Sequence, residues 1–352
     1  MPRTAVDQDP SSPVKVAVVQ AEPCWFDADA AVQKTCDLIT EAGQNGAQLI
    51  AFPELWIPGY PTFIFAHTTK VVNDYTVEYY RHSIAVDSTH MAKIRNAAAT
   101  ANIMVVLGIS ERHRGSLYMA QTFIGPDGTV LLHRRKFKPT GPERIIFGDA
   151  SGDCTKNVIQ TPIGRVGGLQ CFEHLQPLLK YNTYAQGEQI HVASWPCLFP
   201  PVGKMPFFNT VDACRMATHT LAIEGGVFVL LASAIQTGKG LQANGLLGTE
   251  HTVADSEIQI PHTAVVGGGF TVVIAPDGRT LTEPVPADWE GLVYCELDFD
   301  EIYRAKQWVD PVGHYSRPDL FTLVVRGETR RHVDLDGDGD GFEHVERFAG
   351  VE

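Results

Sequence analysis

The chain has 352 residues, 44% of them hydrophobic, enough to bury a large core as one big domain or two smaller ones. Its 28 basic and 41 acidic side chains leave a formal net charge of −13, which argues against a nucleic-acid binder, since that function needs a basic stripe. Cys24, Cys36, Cys154, Cys171, Cys197, Cys214 and Cys295 form no CxxC pair and no zinc-type comb, so free thiols in a reducing compartment are expected and no metal site is.

The opening MPRTAVDQDPSSP (1–13) lacks the apolar region of a secretory signal and reads as a flexible N-terminus. No apolar run approaches the roughly 18 residues of a membrane span, so a cytoplasmic protein without membrane contact is expected. VKVAVVQAE (14–22) is β-branched, apolar and short, the pattern of a buried strand. DADAAVQKTCDLITEAGQNG opens on Asp caps, carries Val32, Cys36, Leu38 and Ile39 at helical spacing, and ends at glycine. AQLIAFPE (47–54) is the next strand, a helix over 88–101 follows, and NIMVVLGIS (102–110) is strand again. Strand and helix alternate as in an α/β fold.

The pattern then changes. YMAQTFIGPDGTVLLHRR (118–135) reads as a hairpin around a Pro-Asp-Gly turn, and NVIQTPIGRVGGLQ (157–170) as another. Helices are expected over 177–186 and 208–224, with central strands at QIHVASW (189–195) and GVFVLLAS (226–233). FTVVIAPDGRTLTEPV (270–285) repeats the strand–PDG–strand device, and GLVYCELDFD (291–300) is expected to close the second half. The sheets are therefore mixed, in two similar α/β halves. Residues 14–326 read as the folded unit and 327–352 as a polar, Gly-rich tail. DLDGDGDG suggests a calcium loop, but a twelve-residue register from Asp334 ends on Val345 and one from Asp336 on Arg347, where Glu is needed.

Cys171 ends the apolar VGGLQ strand, ahead of a helix that Pro177 starts, so it sits at a strand-to-helix elbow. Such a cysteine is either a buried filler or a displayed nucleophile, and His174 offers one local partner of cysteine-protease type. Glu54 ends AFPE beside Trp56, where a buried carboxylate would be a general base of raised pKa. Lys136 and Glu143 come from HRRKFKPTGPER, otherwise a solvated basic edge.

Taken together, these segments resemble the nitrilase (carbon–nitrogen hydrolase) family, whose pattern is FPE, then HRRK ahead of PT..ER, then C(W/F)EH..PL. AVVQAEPCWFD, QIHVASWP, IEGGVFVL and GHYSRPDLF extend the resemblance over roughly residues 14–320. FPELWIPGYP and CFEHLQPLLKY are most similar to the nitrilase and cyanide-degrading branch. The resemblance implies Cys171 as nucleophile, Glu54 as general base and acid, Lys136 as the cation of the site and Glu143 as an additional glutamate, with no metal or organic cofactor. It implies a four-layer α-β-β-α sandwich of two mixed sheets, and self-association into dimers and spirals or filaments, to which the tail could contribute. The implied substrate is a small-molecule nitrile, aliphatic or arylaliphatic, hydrolysed to carboxylic acid and ammonia. Cyanide hydration, amide hydrolysis by the same machinery, and a catalytically inert scaffold are the alternatives. Tyr60, Phe147, Phe172, Trp195 and Pro196 adjoin the catalytic segments and are the candidate pocket residues. Phe172 replaces the family's usual tryptophan beside the nucleophile, and Pro142 stands before Glu143 at the pocket wall.

Overall fold

A computed structural model describes residues 13–65, 69–201, 206–247 and 265–329. The N-terminal segment over 1–12 and the tail over 330–352, with its DLDGDGDG run, lie outside the described residues.

The architecture follows from period-two alternation along strands buried on both faces. In β1 (Val14–Ala21), Val14, Val16 and Val18 point into one core while Ala17, Val19 and Ala21 point into another. β2 (Leu49–Ala51) and β3 (Met104–His113) split the same way, with Leu49 and Val106 on the first side and Ile50 and Val105 on the second. In the second half, β8 (Ile190–Trp195) and β9 (Phe228–Ala234) send Val192 and Leu230 to the core they share with β1, and Ala193 and Leu231 to a third core. The shared core is the filling of a β-sandwich. The outer cores are covered by α1 (Ala28–Gln44) and α3 (Thr89–Ala101) on one side, and by α4 (Pro177–Ala185) and α5 (Val211–Gly225) on the other. This is the α-β-β-α layering expected.

The first sheet runs β5 (Val130–Arg135), β4 (Ser116–Ile124), β3, β2, β1; the second runs β9, β8, β7 (Gly164–Gln170), β6 (Val158–Thr161). Pairs β1–β2, β2–β3, β7–β8 and β8–β9 are parallel, whereas both hairpins are antiparallel, so each sheet is mixed. The two sheets join into one ladder at the end of β1, where Gln20 meets Ser233 and Ala21 meets Ala234. Side chains also stitch the layers face to face: Gln121 Nε2 donates to Ser194 Oγ at 2.9 Å, and Ser194 Oγ to the Phe52 carbonyl at 2.9 Å.

Several elements differ from the sequence reading. The strand expected to close the second half, β11 (Gly291–Leu297), instead pairs antiparallel with β1, Val14 opposite Leu297, and so completes the first sheet. The second arm of the 270–285 hairpin is mostly irregular: β10 (Val272–Ile274) pairs with β9, and only Thr280 bridges back to Ile274. The helix expected from 208 begins at Val211, because Phe207–Asn209 form a 3-10 turn and the Thr210 side chain caps the Ala213 N–H. Helices α2 (Thr69–His82), α6 (Gly238–Ala243) and α7 (Asp300–Lys306) were not anticipated. The β-branched and aromatic residues of VVNDYTVEYY mask α2, which is anchored through Val72 and Tyr79.

Candidate active site

Strand ends deliver the four polar groups. β2 ends at Ala51, and the chain turns so that Glu54 lies directly over β3. Gly108 makes that possible: a Cβ there would stand 2.2 Å from the Pro53 carbonyl oxygen and 3.0 Å from Glu54 Cα. Lys136 follows β5 and keeps one more ladder bond, its N–H donating to the Met119 carbonyl at 2.7 Å. Glu143 lies on a 3-10 turn, Gly141–Ile145, and accepts the Thr140 N–H at 2.6 Å. Cys171 follows β7 with φ of +47°, a left-handed conformation that turns the chain sharply and displays the thiol.

Lys136 Nζ stands between two carboxylates, 2.9 Å from Glu54 Oε1 and 2.9 Å from Glu143 Oε2. The second contact is a well-formed hydrogen bond; the first is short but off-axis, so among the described residues neither oxygen of Glu54 accepts one. Glu143 is further held by the Tyr60 hydroxyl, which donates at 2.6 Å. Cys171 Sγ and one oxygen each of Glu54 and Glu143 lie within 4.8 Å of one another, close enough to hold a metal ion, but the Lys136 ammonium already brings a positive charge to both carboxylates.

All four groups are buried, and burial bears on the protonation of Glu54, Lys136 and Cys171. It pushes the Glu54 carboxyl up to about 8; Lys136 pulls it back and Glu143 adds to the rise. Burial works against the Lys136 ammonium, but the carboxylates of Glu143 and Glu54 outweigh it and hold Lys136 above the ordinary lysine value. Burial, then the nearby Glu54, keeps the Cys171 thiol well above its ordinary range, with Lys136 opposing. The resting nucleophile is therefore a thiol beside a base that titrates near neutrality.

A buried ion pair ties the elbows together. Arg134 donates to both oxygens of Glu173, at 2.9 and 2.6 Å, and Glu173 also accepts the N–H groups of Gln170 and Phe137 at 2.9 Å each. Those contacts fix the residues flanking Lys136 to those flanking Cys171. A cysteine-protease-type pair is not formed: His174 Nδ1 donates to the Cys171 carbonyl at 2.7 Å and its Nε2 faces His191, leaving no ring nitrogen for Sγ.

Cys171 and Glu143 open onto a cavity of about 350 Å³, while Glu54 and Lys136 lie behind its wall. Its apolar lining includes Phe65, Phe172, Leu198, Phe199 and Phe208. Residues 15–307 match the model of the carbon–nitrogen hydrolase family. This chain belongs to that family.

Known carbon–nitrogen hydrolases resemble it over nearly their full length. It is 48% identical to an arylacetonitrilase of Aspergillus kawachii, across 92% of this chain and 95% of that one. It is 43% identical to a nitrilase of Talaromyces marneffei, across 91% and 97%. In fold it matches Nit3 of Saccharomyces cerevisiae, described as a member of branch 10 of the nitrilase superfamily, with a TM-score of 0.66 and 19% identity over 88% of this chain and 99% of that one.

Of the pocket residues read from the sequence, the structure brings Tyr60, Phe172 and Pro196 to the cavity of this hydrolase, along with Pro142. Phe147 and Trp195 are not among its lining. Phe147 packs edge-on against Tyr79 at 6.0 Å, and Trp195 is stacked on His174 at 5.1 Å inside the third core. Trp195 lies in the third core because, two residues on from Ala193, it shares that residue's side of β8. The far wall, Cys197 to Phe199 and Phe208, was missed; QIHVASWP runs straight into it, and that adjacency was the available signal.

Proposed function

We propose that this carbon–nitrogen hydrolase converts an arylaliphatic nitrile to its carboxylic acid and ammonia, with Cys171 as nucleophile. The observation that carries the reading is Cys171 Sγ, Glu54 and Glu143 within 4.8 Å of one another, around Lys136, with Cys171 and Glu143 lining an aromatic cavity. Relatives named arylacetonitrilase support the substrate class, and a cavity in the range of small-molecule sites has room for a ring that cyanide would not use.

Glu54 takes the Cys171 proton as sulfur attacks the nitrile carbon, and returns it to nitrogen, giving a thioimidate. Glu54 then deprotonates a water that adds to the same carbon. Protonated Glu54 passes that proton to nitrogen, giving a tetrahedral carbon that bears OH and NH2; the hydroxyl proton then moves through Glu54 to nitrogen as the carbonyl forms, ammonia departs, and a thioester remains. A second water, activated the same way, releases the acid and restores the thiol. The sum is one nitrile and two waters to one acid and one ammonia. Lys136 stabilises the negative charge that develops at the tetrahedral stages, a contribution typically of about 3–4 kcal/mol for a well-placed donor. Glu143, gripped by Tyr60 and Thr140, positions Lys136.

The test is a panel of phenylacetonitrile, benzonitrile, a short aliphatic nitrile and cyanide, with ammonia and amide both quantified. Ammonia from phenylacetonitrile, absent in Cys171→Ala, is expected. Turnover confined to cyanide, or of amides alone, would overturn the substrate class. We also propose self-association through the outer face of α4 and α5, where Leu178 is 70% and Met216 53% exposed.

A further inference from the structure

Three buried titratable groups that this reaction does not use stand in single file beneath the nucleophile. The Cys171 carbonyl can only accept, so His174 Nδ1, 2.7 Å away, carries hydrogen. Burial, and then the neighbouring His191, hold the His174 imidazole neutral, its pKa pushed down to about 3, so its Nε2 is an acceptor. The partner of that Nε2, at 3.1 Å, is His191 Nε2, which must therefore donate. Burial keeps His191 neutral as well, so its Nδ1 is bare, and it faces the two oxygens of Glu188 at 2.8 and 2.9 Å. Two acceptors cannot bond each other. Glu188 thus brings the proton, as burial, which pushes its carboxyl well above the usual range, also requires. Arg134 from the first sheet and Glu173 from the turn after β7 face His191, Lys306 faces Glu188 and Lys180 faces His174.

The fold makes room for this file. A Cβ on Gly167 would stand 2.2 Å from Glu188 Oε1, so the bare glycine of β7 is what lets the carboxyl lie there. The His174 ring stacks on Trp195, whose carbonyl accepts the Glu54 N–H at 3.3 Å, so one ring braces both the nucleophile and the base. Cys171 needs bracing, because its left-handed backbone is strained in a residue with a Cβ.

We propose that Glu188, His191 and His174 are positioning residues, forming a neutral, one-way hydrogen-bond chain that fixes the Cys171 carbonyl and thereby the direction in which Sγ meets the substrate. The inference deepens the reaction proposed above and rests on Cys171 being its nucleophile.

The experiment compares Glu188→Gln with Glu188→Met in the full-length chain, reading kcat and KM on phenylacetonitrile. It also reads the rate at which iodoacetamide alkylates Cys171, mapped by peptide mass, and thermal melting confirms that each variant folds. Gln replaces the acid O–H with an amide N–H and is expected to keep kcat within about threefold of the parent. Met removes the donor and is expected to lower kcat by about tenfold or more, with KM steady and alkylation slowed in parallel. Full activity in Glu188→Met would overturn the proposal. Equal losses in both variants would mean that a charged carboxylate is needed, which also overturns it, as would a rise in KM alone. If Glu188→Met does not fold, His174→Asn against His174→Phe decides. Asn keeps a donor for the Cys171 carbonyl and is expected to outperform Phe; equal loss would sink the idea. A parent enzyme that turns over no nitrile, while its variants still differ in alkylation, would remove the proposed reaction and leave the positioning role intact.

Discussion

Glu54 is the residue whose chemistry depends most on its surroundings. With its carboxyl pushed up to about 8, it is largely protonated at pH 6 and free to act as a base only as the pH rises. We expect kcat/KM to climb through pH 7 and level off above about 8; a flat profile from pH 6 to 9 would show that Glu54 is not the titrating base. Stability should move the other way. Because the folded state holds the Glu54 proton above the pH at which the unfolded chain releases it, the folded protein binds the extra proton between about pH 4.5 and 8 and loses stability across that window as pH rises. Glu54→Gln is therefore expected to gain in melting temperature relative to the parent as the pH is raised from 5 to 8. Tyr60→Phe leaves one Glu143 oxygen without its 2.6 Å donor, and the loss of a hydrogen bond to a charged group, about 1.5–3 kcal/mol, predicts a fall in kcat/KM of about tenfold to a hundredfold. The four catalytic candidates were named by the family resemblance, since Glu54, Lys136, Glu143 and Cys171 each had a plain structural reading when taken alone, and the fold gathers them at one place. The Glu188–His191–His174 file could not be read from the sequence, since which nitrogen bears a hydrogen is decided only by what faces it across β7 and β8.

Among the elements, the hairpin of β4 and β5 and the elbow after β7 depend on each other. Arg134 and Glu173 are 39 residues apart and both wholly buried, yet they bond twice and pin Lys136 and Cys171 to a common frame. Breaking such a pair from one side strands a buried charge, so Glu173→Leu is expected to destabilise the fold by about 3–5 kcal/mol, measured by urea unfolding. A loss under 1 kcal/mol would mean that Arg134 finds water. The hairpins of β4–β5 and β6–β7 and the central strands were legible because alternation is a local signal, whereas the PDG turn of 270–285 led to a hairpin that the fold does not complete. The sequence reading missed α2 because its apolar positions are held by residues of poor helix propensity, and it misassigned β11 because nothing in GLVYCELDFD names its partner. Strand pairing is a long-range fact: Val14 and Leu297 meet although nearly the whole chain lies between them.

On the scale of the whole molecule, the proposed self-association rests on exposed apolar side chains on α4 and α5, Leu178 and Met216 among them. Replacing both with lysine is expected to lower the sedimentation coefficient toward that of a single chain while leaving the far-UV spectrum unchanged; an unchanged coefficient would place the contact elsewhere. Layering, mixed sheets and the catalytic elbows could be anticipated from pattern and resemblance. The wall of the cavity could not, because it is closed by Phe65 and Phe208, from loops far apart in the chain that meet only when the sandwich is assembled.

The return of β11 to the edge of β1 has a consequence during synthesis. The first strand leaves the ribosome with backbone donors and acceptors open along one side, and the strand that covers them, Gly291–Leu297, is made long after it. A nascent or truncated chain stopping before that strand carries an apolar edge ready to pair with any neighbour. A premature stop shortly before Gly291 would therefore spare every catalytic side chain and still yield a protein that clumps.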